Sequence, residues 1–266
     1  MKISVRLILL CISLVFMSLA LTKISDALEP TDFAAIWTLD EGSGDQVKDM
    51  SGNGYDGAFA SGDPQWVNGK FGMALDFDGV DDWVEMNDPV VQETVDFTMG
   101  CWVNPGDTQK TWTNILSSHQ EPPRRGISFE QIENNLNLFG VAAGDGTNWM
   151  GAESFRVQLK TNEWNHIVAV RSGEDGTWYL NGEMIVQAKF ASGDPIVAAT
   201  SNFRIGNWVL GGREFNGVVD EVFLINEALS ADQVKTIMSN GVIATETAVS
   251  PAEKVATTWG KIKRAH

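Results

Sequence analysis

The groups in this chain that could do chemistry are mostly carboxylates. The stretch "LDFDGVDDWVEM" sets Asp76, Asp78, Asp81 and Asp82 between an apolar pair, Leu75/Phe77, and the run Trp83/Val84. Such a cluster suits a divalent cation, an acid–base pair or a turn. Asp78-Gly79 opens a tight turn whose backbone angles both residues tolerate, and Asp side chains accept bonds from nearby backbone N–H groups. The leading expectation is therefore a turn, with metal or ligand contact second and catalysis third. A different case is "FNGVVDEVFLI", where Asp220 and Glu221 interrupt an apolar run that contains no Lys or Arg; Arg213 is the nearest cation in sequence. A carboxylate in such a strand is costly unless it is paired, metal-bound or held by the backbone amides of a neighbouring loop.

A retaining glycosidase needs two carboxylates about 5 Å apart. Glu130 and Glu133 in "FEQIENN" are three residues apart, so a strand sends them to opposite faces. Neither Asp220 nor Glu221 has an acidic residue two positions away. There is no G-x-S-x-G, no Gly-rich phosphate loop and no His/Cys cluster, and the histidines are only His119, His166 and His266. The expectation is a non-catalytic protein.

Binding groups are easier to find. Three tryptophans sit among polar or small residues: Trp112 in "QKTWTN", Trp149 in "GTNWMG" and Trp208 in "IGNWVLGG". An indole face stacks on a sugar ring when polar groups stand beside it, although a loop Trp is also a common packing plug. Trp37, Trp83, Trp102, Trp164 and Trp178 lie in apolar runs and are expected in the core. The Pro-stiffened "HQEPPRRGISF" brings Arg124 and Arg125 into an acidic chain, where they suit an acidic sugar or protein patch or merely offset local acidity. His166 in "WNHIVAV" reads as a hydrogen-bonded strand histidine.

The elements that must position these residues read as short strands. The chain has 266 residues, 26 of them Gly, and ten Trp against two Tyr. Between residue 29 and about 229 there are about a dozen strand-like runs separated by turn signals. "FTMGCWV" is apolar on both faces and reads as a central strand. "TWYLNGEMIVQAK" is a hairpin turning at Asn181-Gly182. One helix is expected in "LSADQVKTIMSNG", with Ser230 as N-cap, Val234, Ile237 and Met238 as its apolar stripe, and Gly241 as its stop.

The N-terminus begins with Lys2 and Arg6, followed by an apolar run from Leu7 to Leu21. A run of about fifteen residues fits a signal-peptide core better than a membrane span. Residues 1–27 are thus expected to be removed, leaving a domain over 28–240 and a polar, then basic, tail over 241–266. Cys11 lacks a small residue before it, which argues against lipidation, and Cys101 would remain without a disulfide partner. A net charge of −16 disfavours nucleic acid and anionic lipid and suits a divalent cation. The mature chain has no other stretch long and apolar enough to span a membrane. The expected locations are the medium, the cell surface or a periplasm.

Several segments together resemble one family: "WTLDEGSGDQVKDMSGNGYDG", "GKFGMALDFDGVDDWVEM", "FTMGCWVNP", "EWNHIVAVR", "WYLNG" and "FNGVVDEVFLINEALS". In this order and spacing they resemble the laminin-G-like jelly-roll domains of the concanavalin A-like lectin/glucanase superfamily, over about residues 33–240. The resemblance implies an all-β, two-sheet antiparallel jelly-roll sandwich with one short C-terminal helix. It also implies a structural Ca²⁺ where the "VVDEVFLI" strand meets the early loops. Asp220 would supply a carboxylate, and backbone oxygens near Asp40 or Glu41 and near Gly57 would supply the rest. Hydrolases of this fold carry a Glu-x-Asp-x-(x)-Glu strand, which is absent here. The expected function is a secreted, non-catalytic module that recognises a glycan or another extracellular ligand, with Trp112, Trp149, Trp208 and Arg124 as contact residues. Protein-only adhesion is the alternative, and glycoside hydrolysis the third choice.

Overall fold

The computed structural model describes residues 28–132, 137–151 and 156–243. The proposed signal segment, Glu133 and nearly all of the C-terminal tail lie outside the described residues. After a 3-10 turn at Pro30–Asp32 come β1 (Ala35–Trp37), β2 (Gln46–Val47), β3 (Gly57–Ser61), β4 (Gln65–Asn68), β5 (Met73–Asp78), β6 (Trp83–Met86), β7 (Phe97–Pro105) and β8 (Asn114–Ser117). The chain continues through β9 (Ile127–Gln131), β10 (Leu138–Gly144), β11 (Trp149–Met150), β12 (Arg156–Gln158), β13 (Asn165–Ser172), β14 (Asp175–Leu180), β15 (Glu183–Lys189), β16 (Arg204–Ile205), β17 (Asn216–Ile225) and the helix α1 (Ala231–Asn240).

The strands form two antiparallel sheets, a jelly-roll sandwich. The first runs β15-β14-β13-β7-β17-β5-β4, with β1 also on β17; the second runs β11-β10-β9-β8-β16-β6-β3-β2, with β12 also on β10. Alternation along each strand assigns the faces. In β7, Met99, Cys101 and Val103 enter the core between the sheets and Trp102 faces out; in β9, Ile127 and Phe129 face in, and Ser128 and Glu130 face out. A second apolar cluster forms outside the first sheet, where Phe33, Ile36, Val168 and Phe223 meet Val234 and Ile237 of α1. The helix starts as expected: Ser230 and Gln233 form a capping box, and the Gly241 N–H bonds to the Ile237 carbonyl. The Asn181-Gly182 hairpin is also as expected, with φ of 51° and 75°.

Two features position carboxylates. The aspartate-rich stretch is an arch between the sheets, since β5 belongs to the first and β6 to the second. Asp82 is buried and accepts bonds from the Asp63 and Asp78 amides, while Asp78 accepts one from Val80. Asp78, Asp81 and Asp82 also bring carboxylate oxygens within 4.8 Å of one another. The other feature is a break in β17. Its first half pairs with β5 (Val219↔Leu75) and its second half with β1 (Val222↔Trp37). At the changeover the register with β7 shifts, and Glu221 takes φ +53°. Val219 and Val222 both face the core, so the bulge turns Asp220 and Glu221 together to the outer side, whereas simple alternation would have separated them.

Candidate functional site

At the bulge, the loop joining β4 to β5 folds over Asp220. Its Lys70 and Phe71 amides donate to Asp220 Oδ2 at 2.7 and 3.0 Å, and the Met73 amide donates to Asp40 Oδ1 at 2.7 Å. Gly69 is needed here, because a Cβ would lie 2.6 Å from Asp220 Oδ2. Glu221 accepts the Val242 amide just after α1. Asp220 is wholly buried, and its Oδ1 has no hydrogen-bond partner. Burial pushes its carboxyl up to about 8, aided by the nearby Glu221 and Asp40 and opposed by the loop amides. Burial, with Asp40 adding to it, likewise raises Glu221 to about 7.

The expected ligand set is therefore only partly assembled. Asp40 and Asp220 meet around one loop. Gly57 does not join them: it lies in β3 of the second sheet, between Val47 and Met86, while Asp220 faces outward from the first. Glu221 faces outward beside Asp220, but among the described residues only Asp78, Asp81 and Asp82 bring three carboxylates within 4.8 Å of one another. Sequence alternation could not place Glu221 beside Asp220, because the bulge leaves no local signal.

Beside Asp220 in the ladder, Trp102 and then His166 continue the outer row. Lys70 Nζ sits 4.4 Å from the centre of the Trp102 ring, and the His166 ring packs 5.0 Å from it. His166 is buried, and neither ring nitrogen has a hydrogen-bond partner, which corrects the expectation of a satisfied histidine. Burial, with Lys70 nearby, lowers it to about 3, so it is neutral.

The outer face of the second sheet holds the aromatic residues. Cross-strand pairing sets Asn114, Glu130, Gly140 and Arg156 in one row, and Glu85, Arg204, Ser117, Ser128 and Ala142 in the next. Two loops fold onto this face. The loop after β8 brings His119, whose Nδ1 lies 2.8 Å from Ser128 Oγ. The loop after β16 brings Trp208, whose Nε1 donates to the His119 carbonyl at 3.1 Å. The His119 ring lies between two indoles, with centroids 4.9 Å from Trp149 and 5.6 Å from Trp208. The Arg213 guanidinium packs 3.9 Å from the Trp208 ring centre. Trp149 Nε1 donates to Glu121 Oε2 at 2.7 Å, and Arg124 Nη1 donates to the Thr147 carbonyl in the turn before Trp149.

Glu130 lies beneath this cluster, 7% exposed, with Oε2 3.7 Å from His119 Nδ1 and 3.8 Å from Arg213 Nη1. Burial raises its carboxyl to about 7, against the pull of Arg213. Burial, reinforced by Arg213, lowers His119 to about 3. The cluster is thus a neutral histidine and a half-ionised acid beneath two tryptophans and an arginine.

Of the expected contact residues, Trp149, Trp208 and Arg124 come together. Trp112 does not: it sits before β8 at the opposite end of that strand from His119. It is 39% exposed at φ +62°, with its carbonyl held by the Asn114 side chain at 2.7 Å. Trp83, expected in the core, faces outward under Arg204, and Trp164 is only half buried. Trp37, Trp102 and Trp178 are buried as expected. His119, Glu121 and Arg213 were missed as site residues. Alternation in "GISFEQI" already put Ser128 and Glu130 on one face, and that was the available signal.

The two sheets and their order define a concanavalin A-like jelly roll. The chain belongs to the concanavalin A-like lectin/glucanases superfamily, whose laminin-G-type family model matches residues 78–235. No curated protein matches the sequence. Among solved structures, the chain is similar to domain 4 of a GH43 extracellular arabinanase from Geobacillus stearothermophilus, solved in complex with arabinotriose. That match has 19% identity and a TM-score of 0.62, over 78% of this chain and 98% of that one. It is also similar to the receptor-binding domain of botulinum neurotoxin C/D mosaic serotype, with 12% identity and a TM-score of 0.62, over 79% of this chain. A botulinum neurotoxin type C structure, titled for cell entry dependent on two ganglioside molecules, matches at 13% identity and a TM-score of 0.58, over 80% of this chain. The chain spans about half the length of these neurotoxin domains, 52% in each. At these identities the likeness is one of fold. Among the described residues, no helix is long and apolar enough to cross a membrane.

Proposed function

We propose that this protein is an exported, non-catalytic glycan-binding module whose ligand sits against the loops that carry Trp149 and Trp208. One observation carries the reading: two tryptophans far apart in sequence converge on His119, with Arg124, Arg213 and Glu121 around them, on the outer face of one sheet. Stacking surface beside a few fixed polar groups is what sugar recognition requires. The fold likeness to an arabinanase domain solved with arabinotriose supports it. The test is a glycan array with the full chain and its Trp149→Ala, Trp208→Ala and Trp112→Ala variants. Binding that is lost in the first two and kept in the third is the expected result. An array blank for the parent chain overturns the reading.

A structural Ca²⁺ beside Asp220, Asp40 and Glu221 belongs to the same proposal. Hard oxygen donors suit that ion. Asp220 Oδ1 is without a partner, and among the described residues none of the three carboxylates has an ion-pair partner. Melting with Ca²⁺ and with chelator tests it; an unchanged midpoint ends the claim. A second reading, adhesion through protein contacts alone, draws on Val80 and Leu210. Both are exposed, on turns that Lys110 ties together by bonding the Val80 carbonyl and Glu214. Retention of a cell-surface protein by a glycan-blind chain would favour it.

A further inference from the structure

Arginine is unevenly distributed over this molecule. The whole chain carries −16, yet five of the six arginines among the described residues belong to the second sheet or its loops: Arg124, Arg125, Arg156, Arg204 and Arg213. Only Arg171 lies in the first. Arg204 is fully engaged, with Nε and Nη2 at 2.7 and 2.6 Å from Glu85 Oε2. Among the described residues, none of the others has so close an ion pair. Arg213 and Arg124 stand 3.8 and 3.9 Å from their glutamates, beyond hydrogen-bond length, and Arg124 bonds the Thr147 carbonyl instead.

Resting on the glycan-binding reading above, we infer that this face takes a glycan bearing sugar carboxylates, a uronic acid polymer, with Arg213 reading the carboxylate. A guanidinium fork matches a planar carboxylate with two parallel N–H···O bonds, and Arg213 is already oriented by packing on Trp208. An indole beside it offers stacking surface for the sugar ring to which that carboxylate belongs. Glu130 offsets Arg213 only in part near neutrality, because burial keeps much of it protonated.

The test measures affinity at pH 7 for polygalacturonate, alginate and hyaluronate, each beside its carboxyl-reduced neutral counterpart, with dextran sulfate against dextran as the sulfate arm. The parent chain is expected to prefer at least one acidic polymer over its reduced form by tenfold or more. The preference is expected to collapse to within twofold in Arg213→Gln, and to be only partly restored in Arg213→Lys, which keeps charge but not the fork. Equal binding of acidic and reduced polymers overturns the inference while leaving the glycan reading intact. So does binding confined to other, neutral glycans. A preference that survives Arg213→Gln overturns it, as does dextran sulfate binding as tightly as the uronates. Binding to no glycan of any kind overturns the underlying reading as well.

Discussion

Two outward faces of this sandwich each bury acid, and they solve the problem differently. On the first sheet, Asp220 and Glu221 are gripped by backbone amides under the β4–β5 loop and the end of α1, with no guanidinium or ammonium among the described residues paired to them. On the second, Glu130 has Arg213 and His119 at its carboxylate and aromatic rings above. Amides orient a carboxylate but do not neutralise it, so the first cluster needs a proton or a cation and closes on itself. The second brings its own positive charge and still has N–H groups to offer. The first arrangement therefore suits a structural role, and the second is the one proposed for recognition.

Removing the first acid should cost the most. Asp220→Ala strands two loop amides and is expected to lower stability by about 3 kcal/mol in urea unfolding; a loss below 1 kcal/mol would mean the loop does not depend on it. Glu130 should behave in the opposite way. Its carboxyl titrates near 7 in the fold and near 4.5 when free. Below pH 4.5 both states hold the proton; between 4.5 and 7 only the folded state does, so stability falls as pH rises through that window and is level above it. Glu130→Gln removes this, and its stability relative to the parent should climb by on the order of 3 kcal/mol between pH 4.5 and 7.5. Taking the difference between the two proteins cancels the histidines, which titrate in both. A flat difference would mean that Glu130 is solvated.

Next in size, Ca²⁺ at a hundred times its dissociation constant should add roughly 2.7 kcal/mol, and this gain should vanish in Asp220→Ala but persist in Glu130→Gln. Gain in neither or in both would erase the contrast between the two clusters. Trp149→Ala and Trp208→Ala should each weaken glycan binding by about 1–3 kcal/mol in titration calorimetry. The smallest effect belongs to Trp112, outside both clusters. Trp112→Ala should leave glycan affinity within about twofold of the parent chain, because this indole stands apart from His119, Trp149 and Trp208.

Much of the fold was legible from local pattern. The Asn181-Gly182 hairpin, the Ser230 cap and the doubly apolar β7 are written in adjacent residues. β3 and β4 were not, because "GAFAS" and "QWVN" are small or polar and half exposed, and so lack the alternation that marks a strand. The site was legible only as a set of candidates. Trp149, Trp208 and Arg124 could be picked out as binding types, but their convergence on His119 depends on two loops meeting beside the short strand β11. The Asp220–Glu221 pair was visible as an anomaly. Its shared direction was not, since a bulge is a property of pairing rather than of composition.

The changeover in β17 has a consequence for how the molecule is made. Among the described residues, residues 35–37 have β17 as their one ladder partner, and β17 itself sits between β7 and β5. The earliest strand to be synthesised therefore waits for the latest, and the centre of the first sheet stays open until nearly all of the chain is available. Pairing of such long sequence separation makes for slow folding, with exposed edges along the way. A ribosome-bound chain stopped short of residue 216 would hold β5 and β7 apart, with nothing to join them.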